Sequence, residues 1–180
     1  MGVAALAALE LRAPIAKPTG LVIVETDGCF VDGVEVATGA TVGHRTLRVV
    51  DMGKIAATFV HVDSGRALRF APKGGIRTLA FAYAPKVEER YRAQLEGYQV
   101  MPTSDLFAFE EVDLLPSLES LLSRPDARAA CSVCGEEIVN ERELAREGTL
   151  LCQSCAGLGY YSKRTATPAQ APSARAARQT

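Results

Sequence analysis

The chain has 180 residues, of which 48% are hydrophobic, and a formal charge of −1. This length suits one ordinary domain plus a small module, and the apolar share is enough for a core. The near-neutral balance excludes a global field that would favour nucleic acid or a membrane surface. No apolar run approaches the length of a membrane span.

Residues 2–11 are rich in Ala and Leu and predict a helix, stopped by Pro14 and Pro18. The segment lacks a basic n-region and soon meets Glu10 and Arg12, so a secretory leader is not expected. Gly2 is not followed by the Ser or Thr of a myristoylation signal. Leu21-Val22-Ile23-Val24 is a continuous apolar run, the pattern of a strand buried on both faces. Asp27-Gly28 marks a turn. Cys29–Thr38 reads two ways. Its Val content and Gly33 favour extended chain, whereas Phe30, Val34 and Ala37 fall at helical spacing.

Leu47–Val50 and Ile55–Val62 read as strands. Asp63-Ser64-Gly65-Arg66 is a turn, and Ala67–Phe70 is its hairpin partner. Pro72–Gly75 reads as a loop. Beyond Pro85 an amphipathic helix is expected, with Val87, Tyr91 and Leu95 on one face. Glu88 and Arg92 are spaced as an ion pair along it, and Gly97 is its expected stop. Residues 105–123 are mixed and broken by Pro116, and Ser123-Arg124-Pro125-Asp126 reads as a linker. From Ser162 the chain carries Lys163, Arg164, Arg175 and Arg178 and no acid. Such a tail cannot bury a core and is expected to be a disordered, solvated terminus. Its charges suit at most weak contact with a phosphate backbone. The expected organisation is an α+β domain over 1–100, a connecting segment over 101–127, a small module over 128–161 and a basic tail over 162–180.

That small module carries the strongest motif. Cys131-Ser132-Val133-Cys134 is followed, after seventeen residues, by Cys152-Gln153-Ser154-Cys155. Each Cys-x-x-Cys places two thiolates on one tight turn, and two such knuckles complete the tetrahedron Zn²⁺ takes from sulfur. The alternative is a pair of redox dithiols or disulfides, but two motifs at ribbon spacing favour one structural zinc per chain. A closed four-thiolate site has no open position for substrate, so it speaks for fold and interaction rather than catalysis. Thiolate ligands plus one free thiol suit a reducing cytoplasm.

The free thiol is Cys29, in the loop Glu25-Thr26-Asp27-Gly28-Cys29 that follows the buried strand. If a helix begins there, Cys29 meets the positive end of the helix dipole, which favours a thiolate. Asp32, one turn on, could share a cation with it. The alternative is a Cys packed as a small hydrophobe. The Gly-rich stretch Thr38–His44 lacks the Lys-Ser/Thr pair of a phosphate loop. A Cys-His nucleophilic pair would need His44 or His61 beside Cys29.

Together these pieces form a resemblance. Glu25–Gly33, Thr38–Gly43 with Leu47, Asp51-Met52-Gly53-Lys54 and the hairpin ending at Arg69 resemble the FmdE family, the E-type subunits of formylmethanofuran dehydrogenase. Cys131–Glu136 and Cys152–Gly157, followed by Tyr160-Tyr161, are similar to the C-terminal zinc finger of its longer members. The resemblance implies an α-β-α-β-β-β mixed-sheet domain akin to the C-terminal domain of glyceraldehyde-3-phosphate dehydrogenase. It also implies that Cys29–Thr38 is a helix. Separately, a homodimer is expected. The family pattern opens with His-x-His-x-x-Cys-Pro just before the first helix, and those residues form a metal site with the Cys matched by Cys29. Here Met1-Gly2-Val3 stands right after that position, which implies a start placed too far downstream or a loss. Ala40 stands where the family commonly has Cys, and His44 where Lys is common.

Three functions follow as expectations. The first is a zinc-binding accessory protein, with a second metal at Cys29 and Asp32 and an association with a molybdenum- or tungsten-dependent oxidoreductase. The second is a zinc-ribbon interaction module for a protein or nucleic-acid partner. The third is an enzyme with Cys29 as nucleophile or metal ligand, assisted by Asp32 and Lys54.

Overall fold

The computed structural model describes residues 1–17, 19–122 and 126–162. Pro18, most of the expected linker and the tail beyond Ser162 lie outside the described residues. The chain divides after Leu122 into two compact units.

The first unit is built on a five-stranded mixed sheet in the order β2-β1-β3-β4-β5. Its strands are β1 (Gly20–Val24), β2 (Leu47–Val49), β3 (Ala57–His61), β4 (Ala67–Pro72) and β5 (Phe107–Glu111). β1 runs parallel to β2, with Val22 opposite Leu47, and antiparallel to β3, with Val22 opposite Phe59. β3–β4 and β4–β5 are antiparallel. Helices α1 (Gly2–Ala8) and α2 (Cys29–Thr38) pack on each other. Their residues Ala5, Leu6 and Val34 join Val22, Val24, Leu47, Phe59, Leu68 and Phe70 in one core.

Of the two readings of Cys29–Thr38, the helix is the one the structure adopts. Val34 and Thr38 are buried one turn apart, Phe30 packs on the same core, and Val36 faces out. This is the i, i+4, i+8 stripe of an amphipathic helix. The Thr38 hydroxyl donates back to the Val34 carbonyl at 2.7 Å, and Gly39, with φ +68°, ends the helix in the left-handed region. Phe59 and Phe70 are fully buried and meet edge to face at 5.8 Å. Truncating either to Ala is expected to cost about 3–5 kcal/mol.

Residues 107–122, inside the stretch read from sequence as a connector, supply β5 and α6 (Leu118–Leu122) to this unit. Leu114, Leu118 and Leu121 cover the opposite sheet face at Leu21, Val60 and Ala67. The Arg48 guanidinium donates to the Leu121 carbonyl at 2.6 Å and fastens that cover. β3 is therefore buried on both faces.

Two helices differ from expectation. Ile76–Tyr83 forms α3, where the sequence predicts no element, and packs against α4 (Arg90–Val100). Gly97 does not stop α4 but lies within it, and a Cβ there would overlap the Ala80 carbonyl oxygen. The two helices close on small residues, Ala80, Ala93 and Gly97, so Tyr91 and Leu95 of the expected buried face are exposed. The expected Glu88–Arg92 pair is replaced by Arg92–Glu96 at 2.8 Å. Glu89 caps α4 by accepting the Tyr91 and Arg92 amides. The short α5 (Thr103–Leu106) leads into β5.

Among its described residues, the second unit holds two small hairpins and a helical turn at Ser154–Leu158. β6 (Arg128–Ala130) pairs with β7 (Glu137–Val139), and β8 (Leu144–Arg146) with β9 (Thr149–Leu151). Among the described residues, its buried apolar residues are Cys131, Ile138 and Ala156. So thin a core calls for a staple such as a structural metal.

Candidate metal centre and a cationic cleft

Cys131 and Cys134 lie on the turn between β6 and β7, and Cys152 and Cys155 follow β9. The Ser132 amide donates to the Leu150 carbonyl at 2.9 Å, which draws the two knuckles together. Gly135, with φ +74°, donates to the Cys131 carbonyl and lets the chain reverse just past the second thiol. The four sulfurs lie within 4.8 Å of one another, and Cys134 and Cys152 are 3.9 Å apart. Four sulfurs at tetrahedral zinc distances would be separated by about 3.8 Å. Geometry and donor set both fit a closed tetrathiolate.

Backbone amides point at these sulfurs. Cys152 N–H donates to Cys131 Sγ at 3.3 Å, and Cys155 N–H to Cys152 Sγ at 3.4 Å. Amide donors from Cys134, Cys152 and Val133 hold the Cys131 thiol down at about 6. The Cys152 thiol, with burial and the other neighbours, pushes Cys155 up to about 12. The cluster accepts one negative charge readily and resists a further one at Cys155 until a cation is present.

Among the described residues these four cysteines are the one group of three or more metal-type side chains that could share an ion. Cys29 and Asp32 are outside it. Cys29 is an exposed free thiol at the first residue of α2, and Asp32 is exposed one turn on. His61 accepts at Nδ1 from the Ser64 amide, fixing the β3–β4 turn, and His44 is exposed. Neither histidine lines the cleft that holds Cys29. Ala40 is fully buried in the core, so the position where the family commonly has Cys is apolar packing here.

Cys29 opens onto a cleft of about 1170 Å³ in the first unit. Lys54, Arg69, Lys73 and Arg77 line it, with Tyr91 and Tyr98 from α4. Arg69 meets the buried Glu25 through two bonds, Nε to Oε1 at 2.6 Å and a terminal nitrogen to Oε2 at 2.8 Å. This pairing holds the Glu25 carboxyl below its ordinary range, against the opposing effect of burial. The Glu25 carbonyl accepts the Met52 and Lys54 amides, so the same residue shapes the turn that places Lys54 at the cleft. From sequence, Glu25 and Arg69 stand out only as members of matched motifs. Their pairing across 44 residues has no local signal.

No helix among the described residues is long and apolar enough to cross a membrane. The family model described as "FmdE, Molybdenum formylmethanofuran dehydrogenase operon" matches residues 1–108. An Archaeoglobus fulgidus protein described as a "Probable S-adenosyl-L-methionine-binding protein" is 45% identical over 49 residues. That match covers 27% of this chain, and the chain spans only 13% of that relative's length. Among solved structures, a tungsten formylmethanofuran dehydrogenase FmdE-like protein from Syntrophus aciditrophicus is 23% identical. The match covers 89% of this chain and 85% of the other, with a TM-score of 0.49.

Proposed function

This chain belongs to the FmdE family, and we propose that it is a zinc-binding accessory protein of that family. The observation that carries the reading is the convergence of four thiols within 4.8 Å in a unit with almost no core of its own. Zinc there supplies folding energy, because the site is closed and has no position for substrate. Within the bound module, the amides of Cys152 and Cys155 neutralise part of the thiolate charge. No catalytic residue is assigned.

The partner in this reading is a molybdenum- or tungsten-dependent oxidoreductase in a reducing cytoplasm. The module exposes Val133, Leu158 and Tyr160 beside the cysteines, apolar side chains suited to a protein surface. A homodimer is part of the same reading, with a second copy seated on the α3–α4 hairpin, where Leu79, Leu95 and Val100 are exposed. X-ray absorption on the zinc-loaded chain tests the site. The expected first shell is four sulfurs at about 2.3 Å. Nitrogen or oxygen ligands in that shell would contradict it. The partner is tested by capture on the tagged full chain, scored by co-purifying molybdenum or tungsten and its loss in Cys152→Ser.

A further inference from the structure

The cleft beside Cys29 lies outside the cysteine module and has no place in the proposed zinc role. Its lining is sorted by chemistry. Lys54, Arg69, Lys73 and Arg77 supply cations, and no Asp or Glu is among its lining residues. Arg69 is occupied by Glu25. Lys73 and Arg77 have no carboxylate partner among the described residues, and Lys54 makes no close ion pair there but is attracted by the Glu25 carboxylate. Two uncompensated cations, Lys73 and Arg77, together with Lys54, whose charge Glu25 partly offsets, raise the local concentration of small anions around one concavity.

Most of the rest of the wall is apolar. Ile55, Ala71, Pro72, Ile76, Leu106 and Phe107 form it, and the Tyr91 and Tyr98 rings add flat surface from α4. The volume of about 1170 Å³ exceeds what a single inorganic anion needs and suits an organic molecule.

The walls come from separate segments, each held by its own device. Glu25 fixes the Lys54 turn through the Met52 and Lys54 amides. The Lys73 amide donates to the Leu106 carbonyl at 2.9 Å, which ties the end of β4 to α5. Gln94 of α4 donates to the Arg77 carbonyl at 3.3 Å and ties the two helices at the rim. The cleft is held open by bonds the fold already makes.

We propose that this cleft binds a small organic anion, with a carboxylate, sulfonate or phosphate head at Lys54, Lys73 and Arg77 and an apolar body along the tyrosine wall. Cys29 stands at the rim and reports on occupancy.

The test uses the zinc-loaded full chain and compares iodoacetate with iodoacetamide at Cys29, read by peptide mass. Both reagents transfer a carbon to the thiolate sulfur and release iodide, but only iodoacetate carries a charge. The rate ratio of iodoacetate to iodoacetamide is expected to exceed that of free glutathione by about tenfold at low salt. It is expected to fall toward the glutathione value in roughly 0.5 M salt and in Lys54→Gln/Arg77→Gln, and to persist in Lys54→Arg. Anilinonaphthalene sulfonate, an aromatic sulfonate, is expected to protect Cys29 at one molecule per chain. The neutral N-phenylnaphthylamine is expected to protect it at least tenfold more weakly. A ratio equal to that of glutathione in the wild-type chain would overturn the proposal, as would sulfonate binding that leaves Cys29 alkylation unchanged. Zinc content is measured on the same samples, so failure here is distinct from failure of the cysteine module.

Discussion

Arg69 grips Glu25 with both arms of its guanidinium, at 2.6 and 2.8 Å, reaching from β4 across β3 to the residue that follows β1. Glu25 is buried, Arg69 keeps about a quarter of its side chain exposed, and Glu110 meets Arg69 from β5 at 3.5 Å. The pair joins three strands and, through the Glu25 carbonyl, the Lys54 turn.

Glu25→Gln is expected to destabilise the first unit by about 2 kcal/mol. This is less than for a fully buried pair, because solvent reaches Arg69. The pH dependence has a definite sign. The folded Glu25 carboxyl sits below its ordinary value of 4.5, so its contribution is complete above that value. The contribution is lost as pH falls below 4.5 through the folded value. Denaturant titrations at neutral pH and in acid below the ordinary carboxylate range should show the wild-type and variant curves converging in acid.

Gly97→Ala separates two opposing effects. Helix propensity alone would stabilise α4 by about 1 kcal/mol. The added Cβ would overlap the Ala80 carbonyl oxygen, which is backbone and cannot swing aside. Overpacking of this kind costs about 1–3 kcal/mol, so net destabilisation is expected. Hydrogen exchange should localise it to α3 and α4, with β1–β4 amides unchanged.

The contrast between α4 and α2 shows what is legible in the sequence. In α2 the large apolar residues Phe30 and Val34 face the core, so periodicity finds the buried side. In α4 the contact is made by Ala93 and Gly97, and the large residues Tyr91 and Leu95 lie outside. A stripe of bulky residues is the wrong signal for helices that approach through glycine. Apart from α2, whose local pattern left helix and strand open until the resemblance decided for helix, the elements from α1 through β4 are readable, because each carries its own local pattern. β5 is not, since Phe109 and Glu110 in its exposed edge run lack the burial that marks a strand. The four cysteines are readable because both knuckles are local. The cleft is not, because its cations come from the Lys54 turn, β4 and α3.

Cys131→Ser is expected to unfold the second unit and leave the first intact. Among its described residues the second unit buries little besides Cys131, Ile138 and Ala156, whereas the first has two sheet faces covered. Amide spectra should lose dispersion for residues 128–161 and keep it for 1–122. Simultaneous loss of both would show that the two units fold together.

Zinc loading is expected to release protons at neutral pH. Cys155 is held up to about 12 by its thiol neighbours, so it is protonated until metal arrives. Apparent affinity should therefore rise with pH and collapse in mild acid. Calorimetry in two buffers of different ionisation enthalpy measures the protons directly.

The most direct test of the central claim is metal content per mole of the purified full chain, beside Cys131→Ser. About one zinc per wild-type chain, absent from the variant, is the expected result. A wild-type chain without zinc, or a variant that keeps the full amount, would contradict the assignment of the four cysteines as its site.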